Sequence, residues 1–136
     1  MKVGIWLDKK EAFLVTLGNK EISEKTIMSN IENYRIHGGS GTRFKGGPQD
    51  VVQDSKYLER EKHQFRKYFE TIISEIKEAQ AIVLFGPAET CSKLNRFIID
   101  KHKELSDKVQ DVVKMDSMTK PQVKARIKAF FKEKSL

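Results

Sequence analysis

The sequence AIVLFGPA occupies residues 81–88 and predicts the position of a central β-strand. Residues 81–85 are all apolar, as in strands that are buried on both faces of a sheet. Gly86 and Pro87 follow directly, and this pair predicts that the strand ends there. Helical patterns lie on both sides of the run, so the stretch favours a strand within an α/β sheet.

The residues before this strand predict a long helix. From residue 55 to about residue 79, apolar side chains recur at helical spacing and fall on one face of the helix. That face consists of Leu58, Phe65, Phe69, Ile72 and Ile76. A helix with this pattern is expected to pack its apolar face against the sheet.

The residues after the strand predict two further helices and a weaker strand. The first helix is predicted by Leu94, Phe97 and Ile98. It continues through residues 101–105, and residues 109–115 then predict a strand. Thr119 suits the N-cap of the last helix, and Pro121 suits its first turn because the missing N–H is not needed there. This helix is expected to bury Val123, Ile127 and Phe130.

The N-terminal residues predict an antiparallel meander of three strands. Residues 3–7 and 12–17 are apolar runs joined by a polar turn, which is typical of a β-hairpin. Residues 18–20 (Gly-Asn-Lys) predict a second turn, and residues 21–31 a third strand. Residues 1–136 are therefore predicted to form one α/β domain. Its mixed five-stranded sheet has the meander first and βα units after it, with flanking helices.

Composition and charge favour a cytoplasmic protein with a polyanionic partner. The 136 residues include 26 Lys and Arg against 19 Asp and Glu, so the net charge is +7. This excess of cations favours a nucleic acid over a membrane as the partner, because basic surfaces bind phosphates by releasing counterions. Cys91 is the only cysteine, which indicates a reducing compartment. No targeting signal is visible, and no stretch approaches the roughly 20 apolar residues of a membrane helix.

Residues 33–50 predict a flexible, basic, glycine-rich loop. Five of the eight glycines lie between Gly38 and Gly47, and residues 33–49 contain no Asp or Glu. The cationic or titratable residues of the loop are Arg35, His37, Arg43 and Lys45. Glycines let backbone N–H groups approach a ligand closely, and cations beside them suit phosphate. The alternative interpretation is a disordered surface excursion without a ligand.

The long helix after this loop carries a row of cationic and titratable residues. Lys56, Arg60, His63 and Lys67 are four, three and four residues apart, so they share one side of the helix. At about 100° per residue, that side lies opposite the apolar face. With the loop, it predicts one phosphate-binding surface. The alternative is an ordinary solvated helix face, neutralised by Glu59 and Glu70.

Several segments resemble the middle domain of eukaryotic and archaeal class I peptide release factors and of Pelota. These segments are GGSG (residues 38–41), GGPQ (46–49), REKHQF (60–65) and AIVLFGPA (81–88). The segments GIWLD (4–8) and KYLER (56–60) are more similar still to short bacterial release-factor-like proteins of the translational machinery. The resemblance implies a ribonuclease-H-like topology. It also implies ribosomal RNA, tRNA or both as partners.

The glycine pair at 46–47 also implies a candidate catalytic residue. Release factors carry Gly-Gly-Gln, whose glutamine helps water attack the peptidyl-tRNA ester. Here Gly46 and Gly47 match, but Pro48 stands before Gln49. Proline fixes its own φ and is expected to push Gly47 toward extended conformations, which alters how Gln49 projects.

We therefore expect a ribosome- or tRNA-associated factor, with peptidyl-tRNA hydrolysis through Gln49 as one alternative. The predicted RNA-binding residues are Arg35, His37, Gly38, Gly39, Arg43, Lys45, Gly46, Gly47, Lys56, Arg60, His63 and Lys67. A second alternative is a metal-dependent nuclease that uses Asp8 and Asp116, although Asp8 is also typical of a turn. No cofactor and no metal site are predicted, because the three histidines lack metal-ligand spacing.

Overall fold

A computed structural model describes the backbone of residues 1–31 and 47–134, and the side chains of residues 1–31 and 58–133. No helix in these parts of the chain is long and apolar enough to cross a lipid bilayer. The elements in chain order are β1 (Lys2–Leu7), β2 (Glu11–Leu17), β3 (Ile22–Met28), α1 (Gly47–Ile76), β4 (Ala81–Gly86), α2 (Ala88–Lys101), α3 (Lys103–Ser106), β5 (Val109–Lys114) and α4 (Lys120–Lys134).

The five strands form one mixed sheet in the order β3-β2-β1-β4-β5. The first three strands pair antiparallel, as the predicted meander requires, whereas β4 pairs in parallel with both β1 and β5. All six residues of β4 are buried, which explains the uninterrupted apolar run that begins at Ala81. The predicted α/β fold class, a mixed five-stranded sheet with flanking helices, is confirmed.

Alternating side chains of the strands build a separate hydrophobic cluster on each face of the sheet. The cluster under α1 and α2 contains Ile5, Leu7, Phe69, Ile72 and Leu94 among its buried members. The cluster under α4 contains Trp6, Phe85, Val123, Ile127 and Phe131. We call the corresponding surfaces the α1–α2 face and the α4 face.

Helix α1 begins at Gly47, earlier than the predicted start at residue 55, and ends at Ile76 rather than near residue 79. Positions 47–50 of the predicted loop are therefore helical. A proline is tolerated here because Pro48 lies in the first turn, where its missing N–H has no intrahelical partner. The expectation that Pro48 would hold Gly47 extended is wrong, since glycine lacks the Cβ that makes the residue before proline clash.

Two details of the later helices also differ from prediction. His102 has φ −137° and ψ 64°, so it ends α2, and residues 103–106 form the separate short helix α3. In α4 the fully packed aromatic residue is Phe131, which is 3% exposed, rather than Phe130. Phe130 is half-buried and packs edge-on against Phe131, with ring centres 5.2 Å apart.

The predicted N-cap of α4 is confirmed, and it belongs to a reciprocal capping pair. The backbone N–H of Gln122 donates to Thr119 Oγ1 at 3.3 Å, and the N–H of Thr119 donates to Gln122 Oε1 at 2.9 Å. Two backbone donors at the start of the helix are thereby satisfied. This arrangement fixes where α4 begins over the sheet.

Two glycines allow close approaches that a side chain would prevent. A Cβ at Gly4 would overlap Ile127, whose side chain packs directly on β1. Gly86 has φ +138°, and a Cβ there would overlap the carbonyl oxygen of Leu7. Gly4 therefore allows Ile127 of α4 to pack closely on the sheet, and Gly86 allows the end of β4 to lie close to the backbone of β1.

Candidate nucleic-acid interface

The cationic side of α1 lies opposite the residues that this helix buries. Phe65, Phe69, Ile72 and Ile76 are buried as predicted, together with Tyr68 and Ile73. Arg60, His63 and Lys67 are all exposed. At about 100° per residue these three lie on the far side of the helix from Phe65 and Ile72. The predicted geometry of the row is thus present, and its contact with RNA stays a prediction.

The other predicted site residues fall into two groups. The first group is Gly47, Gln49 and Lys56, which belong to the N-terminal half of helix α1. Gln49 therefore belongs to a helix and not to a loop as predicted. The remaining predicted residues lie outside the described residues: Arg35, His37, Gly38, Gly39, Arg43, Lys45 and Gly46.

The N-terminal part of α1 extends beyond the sheet. A helix of 30 residues is about 45 Å long, whereas a strand of six or seven residues spans roughly 20 Å. Leu58, predicted on the buried face, is consequently 57% exposed, and among the side chains described from residue 58 onward the first buried one in α1 is Phe65. The prediction for Leu58 was wrong because periodicity shows the direction of a side chain and not whether the sheet reaches it.

Contacts with the β1–β2 turn hold the middle of α1, around residues 61–68. The Tyr68 hydroxyl donates to the backbone carbonyl of Asp8 at 2.9 Å, and Lys9 Nζ lies 2.9 Å from Glu61 Oε2. Burial, with the nearby Asp8 carboxylate as a smaller cause, raises the pKa of Tyr68, so its hydroxyl stays protonated and able to donate. The row of Arg60, His63 and Lys67 therefore sits on a fixed helix.

Several acids of α1 are paired with Lys or His side chains from other elements. Besides the pair of Glu61 with Lys9, Glu75 Oε2 lies 2.7 Å from Lys25 Nζ, and Glu70 Oε1 lies 3.3 Å from His102 Nε2. These pairs are exposed and contribute little to stability. Each of these three glutamates thus has a partner on another element. Lys67 makes no ion pair with any described residue.

A groove between α1 and α2 was not predicted. Its apolar floor includes Phe65, Phe69 and Phe97, and Lys93 Nζ lies 4.6 Å from the ring centre of Phe65. Charged residues from both helices also line it, namely the cations Lys62, Arg66, Lys93, Arg96 and Lys101 and the acids Glu61 and Asp100. Residues so far apart in the chain meet only through tertiary packing, so no sequence pattern could have found the groove.

Asp8, named above for metal chemistry, and the single thiol, Cys91, have structural roles. Asp8 Oδ1 accepts hydrogen bonds from the N–H groups of Lys10 and Glu11 at 2.8 and 2.9 Å, which confirms the turn interpretation. Within the described residues, no three His, Cys, Asp or Glu side chains are grouped to hold a metal ion. Cys91 is fully buried, and burial raises the pKa of its thiol to about 12, so it is not an activated nucleophile.

Comparisons with known proteins bear on the fold. No protein-family model matches the sequence, and no curated protein matches it. A solved structure described as an archaeal protein superposes with a TM-score of 0.51 at 13% identity, covering 95% of this chain and 33% of that one. The crystal structure of an archaeal translation termination factor gives a TM-score of 0.47 at 11% identity, with coverages of 98% and 39%.

This chain therefore spans only about a third or somewhat more of each of those proteins. At identities this low, the structural similarity to the archaeal protein shows only that the two proteins share a fold.

Proposed function

We propose that this protein is an RNA-binding factor that associates with the ribosome or with tRNA. The observation that carries the proposal is the exposed row of Arg60, His63 and Lys67, on the side of α1 opposite the core. The segment of residues 33–49, with five glycines and no acid, precedes that helix in the sequence and includes its first residues. The resemblance of its GGPQ segment to release factors supports an RNA-lined site as the place of binding.

The row suits the contacts that proteins make with an RNA backbone. Arg and Lys neutralise phosphates, and counterion release makes such binding strongly salt-dependent. Arg60 and Lys67 are seven residues apart, two turns or about 10 Å along the helix axis. They therefore reach different phosphates of one strand. Glycine-rich backbone before the helix adds N–H groups that approach phosphate without steric hindrance.

The first experiment measures binding to ribosomes and to isolated tRNA and ribosomal RNA. The full chain is expected to co-sediment with ribosomes at low salt and to dissociate as salt is raised. Each of R60Q and K67Q should reduce the slope of log K against log salt by about 0.7 to 0.9. K77Q is the matched control, because exposed Lys77 follows the opposite end of the same helix. Failure to bind ribosomes, tRNA and ribosomal RNA at low salt would refute the proposal.

A second experiment separates binding from hydrolysis. Because Pro48 separates Gly47 from Gln49, and Gln49 lies on a helix, we expect binding without release of the peptide. Peptide release from ribosomes loaded with peptidyl-tRNA should therefore be equal for wild type and Gln49→Ala, at the rate without protein. Release by wild type that Gln49→Ala abolishes would replace the proposed role with that of a hydrolase.

A further inference from the structure

Helix α4 carries most of the net positive charge of the protein. It contains six Lys or Arg residues and one acid, Glu133. Helix α1, although twice as long, contains five Lys or Arg against six Asp or Glu. The excess of cations that gives the chain its net charge of +7 is thus concentrated on a single helix, which sequence analysis did not single out.

The cations of α4 lie on its solvent side because its apolar side is fixed on the sheet. Val123, Ile127 and Phe131 are at most 3% exposed, and Ile127 packs against Gly4. Lys124, Lys128 and Lys132 recur every four residues and form a row along the flank of this buried stripe. We call these three residues the α4 lysine row.

The start of the α4 lysine row is tied to the sheet, and its end is not. Lys124 Nζ lies 2.8 Å from Glu24 Oε2, and Lys120 Nζ donates to Thr26 Oγ1 at 3.0 Å. Lys128, Lys132 and Arg126 are exposed, and their side chains make no ion pair or hydrogen bond with any described residue. Their charge is available to an external anion.

The dimensions of the row suit a nucleic-acid backbone. From Lys124 to Lys132 the helix rises about 12 Å, a length over which duplex DNA carries about seven phosphate charges. An anionic membrane is a poorer fit, because interfacial helices insert their apolar side into lipid. In α4 that side is already packed on the sheet. Lysine, a flexible point charge, tolerates irregular phosphate positions.

We propose that Lys128 and Lys132, with Lys124, form a second RNA-binding surface on the α4 face. It lies across the sheet from the row on α1, so one straight RNA helix reaches only one of the two surfaces. In combination with the proposed function, this places the domain between two segments of a folded RNA. The α4 surface itself does not depend on the row of α1 or on residues 33–49.

The experiment compares three charge-neutralised double variants of the full chain. K128Q/K132Q removes the α4 cations, R60Q/K67Q removes the α1 cations, and K77Q/K103Q removes two exposed cations on neither row. Far-UV circular dichroism and urea midpoints establish that each variant is folded. The probes are a short RNA duplex and intact ribosomal RNA, each titrated over a range of salt concentrations, together with phosphatidylserine vesicles.

The expected result is that K128Q/K132Q reduces the salt slope for both RNAs by up to about 2. At 0.1 M salt it should weaken binding by about 10-fold for each lysine removed. For ribosomal RNA, the losses of K128Q/K132Q and R60Q/K67Q should add, whereas K77Q/K103Q should bind as wild type does.

The proposal is overturned if folded K128Q/K132Q binds both RNAs with wild-type affinity and slope. It is also overturned if that variant loses binding to vesicles alone. If, at the same time, R60Q/K67Q weakens RNA binding, the proposed function stands while the α4 surface fails. If wild type binds neither RNA, both fail.

Discussion

The two faces of the sheet are covered differently, and their outer surfaces differ in charge. Helices α1 and α2 and the short α3 cover the α1–α2 face, whereas among the described helices only α4 covers the other. Acids and cations nearly balance on α1, and three of its glutamates pair with Lys9, Lys25 and His102. On α4, six cations are accompanied by one acid. Net charge thus indicates the class of partner, but only the fold shows which face carries the excess.

The largest expected effect concerns chemical access to Cys91, which lies in the core of the α1–α2 face. The thiol is fully buried, so it reacts only when the structure opens. At pH 8, iodoacetamide should alkylate the native protein at least about 1,000-fold more slowly than the urea-unfolded chain. Fluorescence of Trp6, the only tryptophan, reports the α4 face in the same urea titration. Different midpoints for the two probes would show that the faces unfold separately.

The next largest effect on stability is expected at the end of β4, where the backbone of Gly86 lies against the backbone of Leu7 in β1. Gly86→Ala places a Cβ against the carbonyl of Leu7 and strains a residue with φ +138°. The free energy of unfolding should fall by roughly 2–5 kcal/mol. Urea denaturation should show the decrease at the Cys91 and Trp6 probes alike. A change below about 0.5 kcal/mol would mean that the close approach of β4 to β1 is wrong.

A smaller effect, confined to packing on the α4 face, is expected from Gly4→Ala. The new Cβ would overlap Ile127, and overpacking of this kind lowers stability by about 1–3 kcal/mol. Ile127→Ala removes the atoms that would clash, so Gly4→Ala should cost much less in that background. A double-mutant cycle from urea denaturation measures this coupling. Additive effects would indicate that Ile127 does not rest on Gly4.

The N-cap of α4 is expected to contribute about 1 kcal/mol. Thr119→Ala leaves the N–H of Gln122 without its side-chain acceptor, which typically lowers stability by about 0.5–2 kcal/mol. Thr119→Ser keeps a hydroxyl and serves as the matched control. Thermal and urea denaturation of both variants check the result. Equal losses in the two would point to the threonine methyl group and not to the cap.

The smallest effect is a dependence of stability on alkaline pH. Burial raises the pKa of Cys91 from 9.0 to about 12, so the folded state holds the proton more tightly than the unfolded state. This contribution is fully present below about pH 9 and is lost as the pH rises toward 12. Tyr68 acts in the same direction. Between pH 8 and pH 9 the urea midpoint of Cys91→Ala should therefore fall less than that of wild type, with a difference below about 0.5 kcal/mol in the free energy of unfolding; equal decreases would contradict the assignment to Cys91.

Local patterns in the sequence were sufficient for most of the fold. The apolar run at residues 81–85 and the spacing of Phe69, Ile72 and Ile76 predicted buried positions correctly, because strand and helix periods are local properties. The exposure of Leu58 was not predictable, since it depends on where the sheet ends. Phe130 and Phe131 are neighbours about 100° apart on α4, so the choice between them depends on how the helix seats on the sheet.

The candidate surfaces were less predictable than the fold. The row of Arg60, His63 and Lys67 was found because its residues share one helix. The groove between α1 and α2 combines residues from two helices, and the sequence gives no signal for it. The spacing of Lys124, Lys128 and Lys132 is visible in the sequence. That these lysines form an exposed cationic surface depends on α4 burying Val123, Ile127 and Phe131, and on α4 containing only one acid.

The central claim is that cationic surfaces of this domain contact RNA on the ribosome or on tRNA. Cryo-electron microscopy of complexes purified with the tagged full chain tests it most directly. We predict RNA phosphates within contact distance of Arg60 and Lys67, with the segment before α1 directed into RNA. Complexes in which these side chains face solvent or protein, with no nucleic acid beside either face of the sheet, would contradict the account.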